Sequence, residues 1–358
     1  MKVSQQVRNI LQAAASGIRP SREDCILLLD FPEFSPESAL LRATADALSR
    51  ARFYNHAMLL AQIGIEIAPC LADCQFCSFA ESYTDLPSHT MELDEILLHS
   101  KNLTEHGNLH SLFLMTMHTF DFEHLLQVVQ HIRKHISPQV HVVVNIGDFN
   151  LAQAEELRAA GVNGAYHVRR LREGIDNTLQ PTARLRTVEA IRSARLDWYT
   201  CCEPIGPEHN PTEIVDQIFE SYDFGCFQNA AMRRVALPKS PLAANGQISE
   251  LRLAQIVSVV TLAGLECKEL KSIAVHEPNA LGLVSGANCI YAEAGANPRD
   301  TRSKTEQSRG LGLLDCEELL LECGFSTLML PDQKYVTISA RDIVPHSGTS
   351  PSGNQPSD

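Results

Sequence analysis

The stretch CLADCQFC, residues 70–77, places Cys70, Cys74 and Cys77 within eight positions. Three thiols on one short loop are metal-ligand chemistry. Zinc takes four ligands, usually completed by a second close pair such as CxxC or HxxxH, and no such pair follows at finger-like spacing. An iron–sulfur cubane takes one thiolate per iron, so three cysteines leave one iron open to bind something other than protein. The competing reading is three buried thiols packed as small hydrophobes. The spacing, the position directly after a strand-like run and the aromatic Phe76 beside the last cysteine weigh against it.

A loop of this kind needs a rigid frame. From about residue 58 to 325, β-rich runs alternate with amphipathic helical patterns, the signature of parallel βαβ units. Strands are expected at 59–68, 110–117, 140–146, 164–168, 197–202, 230–237, 270–275 and 288–293, with helices over roughly 91–105, 122–135, 151–161, 182–194, 211–222 and 247–263. Eight units predict a (β/α)8 TIM-type barrel over 58–325, with the chemistry at the C-terminal strand ends. An open doubly wound sheet is disfavoured because no GxGxxG follows an early strand. Residues 1–57 read as a helical N-terminal extension, 326–344 as a C-terminal segment and 345–358 (PHSGTSPSGNQPSD) as a disordered tail.

The totals exclude several classes. A net charge of −13 argues against a nucleic-acid partner, which would need a basic face. Arg169, Arg170 and Arg172 form only a local cluster. No apolar run has signal-peptide or membrane-span length, so a cytoplasmic protein is expected. Eleven scattered cysteines then point to metal binding or burial rather than disulfides.

CLADCQFC resembles the C-x3-C-x2-C motif, aromatic residue included, of the radical S-adenosylmethionine superfamily. The resemblance implies a [4Fe–4S] cluster on Cys70, Cys74 and Cys77, with S-adenosylmethionine chelated by the open iron. Reductive cleavage would release a 5′-deoxyadenosyl radical that abstracts hydrogen. IGDFNLAQAEELRAAGVN (146–163), ARLRTVEAIRSARLDWYTCCEPIGPE (183–208) and VSGANCIYAE (284–293) resemble the biotin synthase branch, which also holds the hydrogenase maturase and methylornithine synthase types. That likeness covers roughly residues 55–325.

Several site residues follow from the resemblance. Phe76 neighbours the adenine, Arg184 matches the arginine that binds the methionine carboxylate, and Asn145 ends the third strand among the cofactor-binding residues. The alternative for Arg184 is a solvent-facing helix-start arginine, with Arg186 two residues away. Where the branch places a carboxylate after the fourth strand this chain reads HVRRLREG, so that role falls to Glu173, shifted in register, or is absent.

Biotin synthases carry a second, sacrificial cluster on strand cysteines. The matching positions here are Leu114 or Met115, Val143 and Tyr199, so that cluster cannot be built in that form. Candidate ligands of a different auxiliary cluster are Cys201 or Cys202, of which only one should face inward, with Cys323 or Cys289. Core cysteines are the other explanation for each.

The remaining candidates sit at strand ends. Arg233 and Arg234 should point to opposite faces, one towards an anionic substrate group, for which Arg234 is the catalytic candidate. His276, ending the seventh strand, is the second; a capping histidine is its alternative. Arg299 and Asp300 are expected to pair at the rim. Within this reading the first expectation is sulfur insertion at an unactivated carbon, as in lipoyl synthases related to biotin synthase. An aliphatic substrate on a lipoyl-type carrier protein and a flavodoxin or ferredoxin electron donor would be the partners. The rivals are a barrel of the same branch without sulfur transfer, making a carbon-skeleton rearrangement or maturing a metallocofactor, and a non-catalytic cluster carrier.

Overall fold

The computed structural model describes residues 3–67 and 69–339. Eight parallel strands close into a barrel: Met58–Gly64, Ser111–Met115, His141–Asn145, Gly164–Tyr166, an interrupted fifth strand (Asp197–Tyr199 and Cys202–Ile205), Gln228–Arg233, Ser272–His276 and Cys289–Gly295. Closure is made where the eighth strand pairs with the first, from Met58 opposite Cys289 to Gly64 opposite Gly295. This is the (β/α)8 architecture that the alternating pattern predicts.

Alternation along each strand sorts side chains between two cores. In the first strand Leu59, Ala61 and Ile63 face the helices, while Met58 and Leu60 join Phe113, Val143, Tyr199, Ala274 and Tyr291 inside. The rings of Tyr199 and Tyr291 stand edge-on to Phe113, each at 5.1 Å. This aromatic plug packs the barrel interior beneath the cavity at the C-terminal strand ends, which Tyr166 and Tyr291 border.

The expected helices form at Leu93–Thr104, Phe122–Arg133, Leu151–Ala159, Pro181–Ser193, Pro211–Phe224 and Glu250–Ala263. Asn150 caps its helix as expected, accepting from the Gln153 N–H while the Gln153 side chain accepts from the Asn150 N–H.

The first strand is shorter than expected because the Ala296 backbone crosses its end. The Ala296 N–H donates to the Gly64 carbonyl at 2.9 Å, and a Cβ on Gly64 would lie 1.8 Å from the Ala296 oxygen. The chain therefore leaves the barrel at Gly64. Glu66–Ile67 pairs antiparallel with His89–Thr90, and the cysteine loop lies between these two short strands.

Helices Gln5–Ala15, Arg22–Asp30 and Pro36–Arg52 form the N-terminal extension. Their apolar faces, including Val7, Leu11, Leu28 and Leu41, are continuous with the outer core. Gln255, buried in the helix Glu250–Ala263, donates to the Leu28 and Phe31 carbonyls at 2.9 and 3.0 Å, so the extension is docked by polar bonds as well. Beyond the barrel, Thr327–Met329 pairs with Tyr335–Thr337. The expected disordered tail, 345–358, lies outside the described residues. Among the described residues no helix is long and apolar enough to cross a membrane.

Candidate active site

The cysteine loop is held from three directions. Internally, the Cys70 N–H donates to the Phe79 carbonyl at 2.8 Å and the Cys77 N–H to the Cys74 carbonyl at 3.0 Å. Tyr83 clamps the same turn, its hydroxyl donating to the Cys74 carbonyl at 2.6 Å and accepting from the Cys77 N–H at 3.0 Å. The segment after the fourth strand adds bonds from Thr178 N–H to the Ala72 carbonyl (3.0 Å) and from Gln75 N–H to the Asp176 carbonyl (2.9 Å). The segment after the eighth strand accepts Ser78 N–H and Oγ on the Pro298 carbonyl, at 2.9 and 3.0 Å.

All three cysteines line a cavity of ≈ 160 Å³ at the barrel mouth. Cys70 and Cys74 are buried and Cys77 is half-buried. Burial pushes the Cys74 thiol up to about 12, with Arg170 the main group pulling it back down. Burial also raises the Cys77 thiol. Such thiols become thiolates when a metal supplies the missing positive charge.

Three thiols on one loop are the donor set that iron–sulfur clusters use. Among the described residues, the one trio of Cys, His, Asp or Glu ligand atoms within 4.8 Å of one another is Asp176, Glu208 and His209. The acidic trio is already engaged: Glu208 chelates the Arg234 guanidinium and His209 Nδ1 accepts the Gly206 N–H at 2.9 Å.

Beside the cysteines the same cavity is lined by Phe76, Asn145, Arg170, Arg184, Glu203 and His276. Asn145 donates to Gln62 Oε1 at 2.9 Å across the mouth. Arg184 is buried in the first turn of the helix Pro181–Ser193, whereas Arg186 is exposed and turned back on its own helix. The Arg184 guanidinium donates from Nη1 to Asp148 Oδ1 at 2.7 Å and from Nε and Nη2 to the Val168 carbonyl at 3.1 and 3.0 Å. Burial would raise the Asp148 carboxyl, but His167, with Nε2 at 3.3 Å, and Arg184 outweigh it and hold it well below the usual range. Burial depresses His167 to about 3, so the ring there is neutral.

Arg170 was legible only as one member of a local arginine cluster, yet like Arg184 it lines the cavity beside the cysteines. Its Nε lies 3.0 Å from Glu203 Oε1, and Glu203 Oε2 accepts the Tyr166 hydroxyl at 2.5 Å. Glu203 directly follows Cys202, at the point where the fifth strand resumes, so the strand irregularity sets its carboxylate on the cavity side. The signal available in the sequence was position alone: both follow C-terminal strand ends.

Other candidates are placed elsewhere. Glu173 is buried below the mouth, with Oε2 accepting the Arg170 N–H at 2.6 Å and Oε1 accepting Asn177 Nδ2 at 2.9 Å; it organises the loop that carries Arg170. Arg234 lies past the end of the sixth strand, where Glu208 and the Gly246 carbonyl (3.0 Å) hold its guanidinium. Arg233 pairs with Glu277 at 2.9 Å. The cavity therefore receives Met232 from this strand instead of either arginine.

Cys201 and Cys202 do face opposite sides, Cys201 in the inner core and Cys202 in the outer one. Cys323 is also in the outer core, its thiol 3.9 Å from the Ala280 carbonyl, so the three are not brought together. Arg299 does not pair with Asp300; its Nη2 donates to Glu293 Oε1 at 2.7 Å, while Asp300 lies 3.7 Å from Arg309.

No protein-family model and no curated protein matches the chain. Among solved structures it is similar to methylornithine synthase (PylB), at 15% identity and a TM-score of 0.75, over 88% of this chain and 96% of that one. It is also similar to the FeFe-hydrogenase maturase HydG from Carboxydothermus hydrogenoformans, at 17% identity and a TM-score of 0.74, over 90% and 79% of the two chains. A second HydG structure gives 13% identity and a TM-score of 0.72, over 91% and 76%. These are the two types that the sequence resemblance set beside biotin synthase, and the chain shares their barrel fold.

Proposed function

We propose that the chain is a radical S-adenosylmethionine enzyme. The supporting observation is the placement of Cys70, Cys74 and Cys77 on one braced loop that opens onto the same cavity as Arg170, Arg184 and Glu203. Cys70, Cys74 and Cys77 would hold a [4Fe–4S] cluster. When bound, the cluster supplies the electron that cleaves S-adenosylmethionine to methionine and a 5′-deoxyadenosyl radical, which takes hydrogen from a substrate carbon. Arg170, held through Nε by Glu203 and lining the cavity beside the cysteines, offers a guanidinium fork for the methionine carboxylate. Arg184 shapes that wall by tying Asp148 to the Val168 carbonyl. Phe76 gives the adenine an apolar surface.

The finer choice is between sulfur insertion and chemistry without sulfur transfer. Sulfur insertion needs a sulfide source; Cys202 and Cys323 are packed in the outer core, Cys201 and Cys289 in the inner core, and none of the four lines the cavity, which supports the reading without one: rearrangement of a carbon skeleton or maturation of a metallocofactor. Convergence of so many polar groups on one cavity at the barrel mouth favours an enzyme over a cluster carrier. A flavodoxin or ferredoxin would supply the electron.

The test is anaerobic reconstitution of the wild type and of a Cys70→Ala, Cys74→Ala, Cys77→Ala variant, with iron and sulfide counted and 5′-deoxyadenosine assayed under dithionite. About four irons per chain in the wild type, none in the variant, and deoxyadenosine from the wild type alone support the proposal. About eight irons in the wild type, with about four kept by the variant, restore sulfur insertion.

A further inference from the structure

Two thiols meet at the end of the barrel opposite the mouth. Cys226 lies just before the sixth strand and Cys267 just before the seventh. Those strands pair with Gln228 opposite Ser272, and the Lys271 N–H donates to the Phe227 carbonyl at 2.7 Å, so the two approaches run side by side. The Cys267 sulfur lies 3.9 Å from the Cys226 carbonyl oxygen, and the Cys226 thiol hydrogen-bonds to it. The turn that carries Cys267 is pinned by Arg52 of the N-terminal extension, whose Nη1 donates to the Gly264 carbonyl at 2.7 Å and whose Nη2 donates to the Cys267 carbonyl.

The pair is graded in depth. Cys267 is 8% exposed and stands between the exposed Glu266 and Lys268, whereas Cys226 is 0% exposed. The hydrogen bond from Cys226 outweighs burial and the nearby Glu269 carboxylate, and it pulls the Cys267 thiol down to about 6. Burial holds the Cys226 thiol well above its ordinary range and raises Cys202 and Cys289 too, so Cys267 is a thiolate among thiols. Glu269 Oε2 lies 3.8 Å from the Cys267 sulfur, but Cys226, Cys267 and Glu269 do not bring their ligand atoms within 4.8 Å of one another, so they do not form a three-ligand metal site.

We propose that Cys267 and Cys226 are a thiol-oxidation site for hydroperoxides, in which Cys267 takes the oxygen and Cys226 resolves it as an intramolecular disulfide. The proposal does not rest on the radical reading, since neither thiol lines the mouth cavity. Oxidation is selective for a thiolate near the surface with a resolving thiol beside it, which is the arrangement here. The Cys267 sulfur attacks one oxygen of hydrogen peroxide, the O–O bond breaks, and hydroxide leaves as water with the proton that Cys267 has given up. The Cys226 sulfur then attacks the sulfenic sulfur, an S–S bond replaces the S–O bond, and the hydroxyl leaves as water with the Cys226 proton. Two thiols are oxidised to one disulfide and one peroxide is reduced to two waters. A dithiol reductant reverses the change by thiol–disulfide exchange.

The experiment gives the full chain a single equivalent of hydrogen peroxide, both as reconstituted holoenzyme and as the Cys70→Ala, Cys74→Ala, Cys77→Ala variant, in which no loop thiols compete. N-ethylmaleimide then blocks the remaining thiols, and unreduced peptides are mapped by mass spectrometry. The expected result is a peptide pair joined through Cys226 and Cys267 in both proteins, formed in the variant before any other cysteine is modified and lost on treatment with a dithiol. In the variant background, Cys226→Ala should leave Cys267 as a sulfenic acid that dimedone traps, and Cys267→Ala should leave Cys226 unmodified. Full alkylation of both thiols while other cysteines oxidise overturns the proposal. So does pairing of Cys267 with a different cysteine, or undiminished oxidation of Cys226 once Cys267 is replaced. If either single replacement fails to fold, the peptide map with both thiols present decides alone.

Discussion

At the floor of the barrel His110 has its Nδ1 2.7 Å from Ser111 Oγ, which lies 3.3 Å from the Tyr199 hydroxyl. At the mouth His276 turns an unpartnered Nε2 into the cavity. The same contrast holds for cysteine. Cys226 and Cys267, at the floor, are packed in the outer core, the Cys267 thiol directed at the Cys226 carbonyl at 3.9 Å. Cys70, Cys74 and Cys77 sit on an irregular loop held by backbone bonds, their side chains lining open space. The two ends teach that residue type does not decide role here. At the floor His110 and Ser111 are bonded to neighbours, and at the mouth His276 and Arg299 keep unpartnered nitrogens on rigid supports.

The largest effect should come from the mouth. Replacing any one of Cys70, Cys74 or Cys77 by Ala should abolish cluster binding and deoxyadenosine formation while circular dichroism keeps the barrel signature, since the barrel core does not include these thiols. Retention of full iron by any single variant would remove the distinction between the two ends.

Next in size is the support behind the mouth. Arg184→Gln strips Asp148 of its guanidinium partner, and breaking such a pair costs roughly 3 kcal/mol. Urea unfolding should show this loss in the holoenzyme and in the apoprotein alike, which marks Arg184 as a positioning residue. A loss confined to the holoenzyme would assign it to the cofactor instead.

The floor should reveal itself through pH. Burial depresses His110 to about 3, so the folded state holds it neutral. A depressed folded value means that the stability is fully present above the unfolded value near 6.5 and is lost as pH falls from there towards about 3. The His110 contribution to unfolding free energy should therefore be flat above pH 6.5 and fall by about 1.4 kcal/mol per unit below it, so His110→Gln lessens the overall slope, which His167 and His276 share, by that amount. An unchanged slope in the variant would mean that His110 is not the group that titrates.

The smallest effect belongs to the core thiols. Cys202→Ala should cost about 1 kcal/mol by truncating a packed side chain and leave iron content unchanged. A drop in iron would bring Cys202 back as a cluster ligand.

The barrel was legible because its strands and helices obey two clear periodicities, and the six expected helices and Asn150 cap follow from them. The cysteine loop was legible because three ligands are local in sequence. Arg170, Glu203, Glu293 and Arg299 were not, because each acquires its meaning from a partner between 6 and 33 residues away and from the direction a strand end gives it. Glu203 depends further on the interruption of the fifth strand, which a period-two pattern through TCCEPI does not disclose. Arg234 misled for the same reason: alternation places it inward, but the strand ends at Arg233 and Glu208 draws the next residue away.

The most direct test of the account is electron paramagnetic resonance of the dithionite-reduced, reconstituted protein with and without S-adenosylmethionine. The account predicts the signal of a reduced [4Fe–4S] cluster that changes on adding S-adenosylmethionine, as an iron without a cysteine ligand must when it takes up the methionine group. A cluster signal that stays unchanged under saturating S-adenosylmethionine, with no deoxyadenosine formed, would contradict it.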